Sequence, residues 1–140
     1  MKKKIVHRSQ CPISTALDIF GDKWTLLIIR DLLFKEKKSY GEFLLSEEKI
    51  ATNILADRLA LLEAAAIITR GQHPDNKLKI IYSLTAKGID LIPVLVEVIS
   101  WSEKYHQVHP YAREFAKQLR KDKNGVIKSL FENARKSVNS

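Results

Sequence analysis

Apolar and polar positions along this chain recur first at helical spacing, then at strand spacing, then at helical spacing again. In "CPISTALDIFG", Ile13, Leu17 and Phe20 fall on one helix face and Gly21 closes the segment. Asp22 stands where a cap belongs, ahead of "KWTLLIIRDLLF", which is apolar on nearly every side. Trp24, Leu27, Ile28 and Leu32 are assigned to the core, with Leu26, Ile29 and Leu33 burying a second face. The charged connector "KEKK" leads into "SYGEF", where Ser39 and Glu42 have capping-box spacing and begin a short helix through Tyr40, Phe43 and Leu44. After the polar turn "SEEK", Leu55, Leu59 and Leu62, with Ile54, form the apolar stripe of a further helix. Thr52, Asn53, Ala56, Asp57 and Ala60 are left facing outward.

The period then drops to two. "AIITRGQ" and "LKIIYSL" read as short β-segments joined by the turn formers of "HPDNK". Thr85 caps the next helical turn, with Gly88 inside it. "GIDLIPVLVEVISWSEKYH" is a long apolar helix in which Pro93 sits in the first turn or at a kink. Residues 111–140 read as two more helices, broken near Asn124 and Gly125. The fold class is mainly α with a small β-wing.

A short capped helix, a turn, a second helix and a two-stranded wing is the helix-turn-helix layout. The second helix then presents its N-terminal residues to base edges in the major groove. Thr52 and Asn53 suit that position. Short side chains let the helix approach, asparagine can pair with adenine, and threonine can meet a thymine methyl. The same residue types also open helices that read nothing, so the order of elements carries the assignment.

The segments "CPISTALDIFGDKWTLLIIRDLL", "SYGEF", "NILADRLALLE" and "IYSLTAKG", in that order, resemble the HxlR-type winged-helix transcription regulators over roughly residues 9–106. The resemblance implies a winged helix-turn-helix dimerised through N- and C-terminal helices, and binding of a homodimer to a palindromic operator in double-stranded DNA. The chain divides on this reading into a basic arm at 1–10, the winged domain with its dimerisation helix at 11–109, and a helical extension at 110–140.

Candidate base-facing residues are Thr52, Asn53, Ala56 and Asp57, with Arg58 directed to a phosphate or to an intramolecular acid. Ser39 and Tyr40 can donate to phosphate through hydroxyls and backbone amides. Lys38 and Lys49 flank that surface, while Lys37 reads as a solvated lysine. Arg70, His73, Lys77 and Lys79 would grip the backbone from the wing. Ile13, Leu17, Leu91, Leu95, Val98, Ile99 and Trp101 are assigned to the dimer interface. Two positions depart from the family pattern. Ala51 stands where a capping serine is usual, which would shift the cap to Thr52, and the wing tip lacks the usual arginine.

Charge adds a second theme. The formal net charge is +8, concentrated at the ends: +4 over residues 1–8, +5 over 111–140, and −1 between them. Basic ends suit a polyanion, or simply a solvated surface. Cys11, the single cysteine, matches one that serves several family members as an electrophile or oxidant sensor. Lys2, Lys3, Lys4, His7 and Arg8 just upstream would favour its thiolate. Oxidation of a lone cysteine ends in an intersubunit bridge, a mixed disulfide or an adduct; the alternative is a small buried hydrophobe.

No Gly-rich phosphate loop, nucleophile turn or paired catalytic carboxylates occur, so an enzyme and a cofactor are not expected. His106 and His109 lack a third ligand, so neither is a metal site. No apolar run approaches the roughly 18 residues of a membrane span. The basic start leads into no apolar signal region, and a cytoplasmic protein is expected. The main rival is a winged-helix module that binds protein instead of DNA. A basic membrane-surface protein, resting on residues 111–140, is the lesser one.

Overall fold

A computed structural model of the chain describes residues 3–139; Met1 and Lys2 of the basic arm, and Ser140, lie outside the described residues. The elements are α1 (Pro12–Phe20), α2 (Thr25–Phe34), α3 (Tyr40–Leu44), α4 (Thr52–Ala64), β1 (Ile68–His73), β2 (Asn76–Leu84), α5 (Ala86–Ile89), α6 (Ile92–Tyr105) and α7 (Pro110–Asn139). This is a winged helix-turn-helix, mainly helical with one two-stranded antiparallel sheet. It divides into two compact units, one ending at Gly88 and one beginning at Ile89.

In the first unit, Asp22 Oδ2 accepts the Trp24 and Thr25 amides at 2.9 and 3.1 Å and so opens α2. Ile28, Ile29 and Leu32 are buried as expected, whereas Trp24 and Leu27 are only half-buried. Phe43 of α3, Leu55, Leu59 and Leu62 of α4, and Ile67, Ile68, Tyr82 and Leu84 complete this core. The capping box of α3 is formed in both directions between Ser39 and Glu42. At α4 the cap does not move to Thr52. Ala51 takes the N-cap position in extended backbone with no side-chain acceptor, and its carbonyl already accepts the Leu55 amide at 2.9 Å. Thr52 is therefore the first helical residue.

The far end of α4 is closed by a Schellman turn. Ala66 adopts φ 58°, its amide donates to the Glu63 carbonyl, and the Ile67 amide donates to that of Leu62, each at 2.9 Å. Two further carbonyls are taken by the segment after the wing. Lys87 Nζ donates to Ala65 at 2.7 Å and the Thr85 hydroxyl to Ala66 at 2.6 Å. The Thr85 oxygen in turn accepts the Gly88 amide at 3.1 Å. A Cβ on Gly88 would lie 2.4 Å from the Ile67 carbonyl oxygen, so only glycine lets these backbones meet. The "Tyr-x-Leu-Thr-x-x-Gly" pattern is thus a clasp that locks α4 to the base of the wing.

β1 and β2 pair in the register Ile68 with Leu84 and Arg70 with Tyr82, with an irregularity between Gln72 and His73. The strands extend further toward the tip than the sequence suggested, since His73, Asn76 and Lys77 belong to them and only Pro74 and Asp75 make the turn.

In the second unit Pro93 is in the first turn of α6, where its missing amide hydrogen has no helical partner to lose. Ile92, Leu95 and Val96 are buried. Val94, Val98, Trp101 and Tyr105 form an exposed apolar stripe on the same helix. α7 buries Ala112, Ala116, Leu119 and Ala134 and pairs Arg120 with Glu103 and Lys123 with Glu97. Its break falls at Asp122 (φ −156°, ψ 77°), two residues before the expected Asn124. The Asp122 carboxylate accepts the Gly125 amide at 3.1 Å, so Asp122 caps the second segment and Gly125 lies within its first turn.

Candidate nucleic-acid interface

Three segments fasten the turn between α3 and α4. Asp31, buried on α2, accepts from Arg30 Nη2 at 2.8 Å and from the Ser46 hydroxyl. Lys37 Nζ donates to the Ser46 oxygen at 2.8 Å, so this lysine is a structural donor and not the solvated side chain expected. Arg30 also makes a two-pronged pair with Glu48, at 2.6 and 2.9 Å. Between them Lys49 adopts φ 58°, which turns the chain into α4. Tyr40 then fixes α3 to the reading end of α4, its hydroxyl donating to the Thr52 carbonyl at 2.8 Å. The Tyr82 amide ties the wing to the same place through the Lys38 carbonyl, at 2.7 Å.

Hydrogen bonds from Arg30 hold the Glu48 carboxyl down to about 2, against its ordinary 4.5. A carboxyl depressed in the folded state contributes stability above its unfolded pKa and loses it as pH falls through the folded value. Glu42, held down first by the Ser39 hydroxyl, acts in the same direction. Acid titration followed by circular dichroism should therefore show stability declining from about pH 4.5 toward 2. Glu48→Gln should flatten part of that decline.

Around this frame, Thr52, Asn53 and Ala56 are exposed on one end of α4. Asp57, one turn beyond Asn53, pairs with Lys3 of the arm and lies 3.8 Å from Arg58 Nη1. Arg58 turns inward to an acid: its Nε is 3.4 Å from Asp22 Oδ2, within ion-pair range but not aligned as a hydrogen bond. Although burial pushes the Asp22 carboxyl up, hydrogen bonds from the Thr25 hydroxyl and the Trp24 amide, together with the Arg58 charge, hold it below the ordinary range. Ser39 is buried, with its hydroxyl committed to the capping box, and Lys38 is half-buried. Lys49 is exposed.

On the wing, Lys77 and Lys79 are exposed, Arg70 pairs with Glu63 at 3.4 Å, and His73 Nδ1 accepts the Asp75 amide at 3.0 Å. The same surface carries apolar residues that sequence reasoning did not single out. Leu78 is 95% exposed and Leu45 81%, flanking a shallow groove with Tyr40, Ile80 and Tyr82. The alternation of Leu78, Ile80 and Tyr82 along β2 was the available signal.

Cys11 is exposed, in extended backbone at the N-cap of α1, and is not a buried hydrophobe. Among the residues assigned to a dimer interface, Ile13, Leu17, Val98 and Trp101 are exposed and Leu91 and Ile99 half-buried. Leu95 is already buried in the single chain, so Val94 and Tyr105 offer more surface than it does. The His106 ring packs on Trp101 and the His109 ring on Tyr111, at 5.3 and 4.5 Å. No helix among the described residues is long and apolar enough to cross a membrane.

The HxlR-like helix-turn-helix family model matches residues 19–110. The HTH-type transcriptional regulator sll1512 of Synechocystis sp. is 37% identical over 86 residues, covering 61% of this chain and 63% of that protein, a little under two thirds of its length. Among solved structures, the transcription-factor structure PA1607 superposes with a TM-score of 0.66 and 35% identity, over 74% of this chain and 70% of that one. The oxidised form of the redox regulator HypR gives a TM-score of 0.61 and 30% identity, over 70% of this chain and all (100%) of that one. The fold, the order of its elements and these relatives agree: the chain belongs to the HxlR-like helix-turn-helix family, and the relative it matches is an HTH-type transcriptional regulator.

Proposed function

We propose that the protein binds a pseudo-palindromic operator as a symmetric dimer and reads each half-site with the first turns of α4. The observation that carries this is the exposed Thr52–Asn53–Ala56 surface, presented by a helix whose entry is held by Tyr40 and by the contacts of Ser46 and Glu48 to Asp31 and Arg30 of α2. Lys38, Lys49, Arg70, Lys77 and Lys79 supply phosphate contacts around it, with His73 beside them at the wing tip. At the start of α3 the backbone amide of Tyr40 adds to these contacts, whereas the Ser39 amide and both hydroxyls are engaged within the protein. The dimer forms through the exposed stripe of α6 with Ile13 and Leu17 of α1.

Footprinting on the DNA upstream of the protein's own gene should protect two half-sites about 34 Å apart, or a multiple of that spacing. Affinity should fall steeply as salt rises. Sequence-indifferent, salt-insensitive behaviour would instead favour a protein-binding module.

The same dimer offers a route for a thiol signal. HypR is described as a redox regulator, and Cys11 here is exposed at the junction of the arm and α1, with Pro12 stiffening that junction. Modifying Cys11 would alter how the two subunits sit and so the separation of the reading helices. Diamide should lower the operator affinity of the wild type and leave Cys11→Ser unaffected. Equal affinity of reduced and fully modified wild type would make Cys11 a bystander.

A further inference from the structure

The N-terminal arm is tied down at two points. His7 Nδ1 and Arg8 Nε meet the Asp18 carboxylate of α1 at 3.1 and 2.6 Å, and Lys3 meets Asp57 of α4. Between these ties Ile5 is half-buried while Lys4 and Val6 are exposed, so the segment lies against the protein with Lys4 outward. Asp57 follows Asn53 by four residues and therefore shares its helix face. An unpaired carboxylate at that place would repel the phosphates of any duplex that α4 enters. Lys3, together with Arg58 Nη1 at 3.8 Å, offsets that repulsion, and Lys4, next to Lys3 in the chain, is exposed.

We infer that the arm is a second DNA-contacting element, docked on the reading helix through Lys3 and Asp57 and directed at phosphates bordering the groove that α4 enters. This rests on the DNA-binding reading and assigns a part of the chain to it. The pair is exposed, its side chains retaining 42% and 39% of their surface, so it contributes little to stability by itself. Its effect is to place charge. A contact of this kind carries no sequence information but makes binding depend more steeply on salt.

The test uses the full-length protein and a labelled duplex, with affinities measured over a salt series for operator and non-operator DNA. Lys3→Ala with Lys4→Ala should weaken both DNAs by the same factor. It should also reduce the slope of log K against log salt by about 0.9, the contribution of the one phosphate that Lys4 no longer neutralises. Lys3→Ala alone should have a smaller effect in an Asp57→Asn background than in the wild type, because the docking point is then already gone. An unchanged salt slope in the double-lysine variant overturns the inference, as does an equal effect of Lys3→Ala in both backgrounds. If the wild type binds the operator while the arm variants match it, the arm alone is at fault. If the wild type binds no DNA, both readings fall together.

Discussion

Replacing Asp31 by alanine is expected to destabilise the fold by about 3 kcal/mol, because it strands the donors gathered on a buried carboxylate. The side chain of Asp31 retains only 3% of its surface and holds both Arg30 and the Ser46 hydroxyl. Arg30 keeps Glu48 as a partner, so the loss falls chiefly on Ser46 and on Lys37 behind it. For a chain of this length such a loss should lower Tm by roughly 10 °C. Asp31→Asn, which still offers an acceptor, should lose less. Since these bonds fix the turn that aims α4, the alanine variant should also bind DNA more weakly at temperatures where it remains folded. A Tm within about 2 °C of wild type would mean that this network does not hold the turn.

A larger effect, on function alone, is expected from Val98→Glu combined with Trp101→Glu. Both residues are exposed in the single chain, at 45% and 59%, so the protomer should fold normally by circular dichroism. In the proposed dimer, however, they form the centre of the apolar stripe on α6. Two carboxylates there would face their symmetry mates, and sedimentation should show the 16.0 kDa monomer. Losing the second half-site should reduce operator affinity by on the order of 10²–10⁴. A variant that stays dimeric places the interface elsewhere on the surface.

Features set by neighbours in the chain were legible in the sequence, and features set by distant partners were not. The Ser39–Glu42 capping box and the leucine stripe of α4 each follow from residues within one or two turns, while Pro93, open in the sequence between the first turn and a kink, is assigned to the first turn by the fold. The cap of the last helical segment is also local, but a Gly-based reading puts the break at Asn124–Gly125, whereas the Asp122 side chain makes it two residues earlier. Lys37 reads as solvated because its acceptor, Ser46, is nine residues away across α3. Arg30 and Glu48 are 18 apart, and Lys3 and Asp57 are further still, so no periodicity brings them together. Within the family pattern, Thr85 and Gly88 could be recognised from sequence. Their physical reason is the crossing of two backbones at Ile67, which only the folded chain displays.

The central claim is that the exposed N-terminal turns of α4 read bases, and Asn53→Ala tests it most directly. Affinity should be measured for the operator and for a set of duplexes carrying each single base change within one half-site, with Lys77→Ala as the reference for a backbone contact. Asn53→Ala should lose discrimination at one position per half-site, by about 1–3 kcal/mol, and keep it elsewhere. Lys77→Ala should weaken every duplex alike. An Asn53→Ala protein with wild-type affinity and unchanged preference at every position would contradict the claim, and the reading surface would have to be sought on another face.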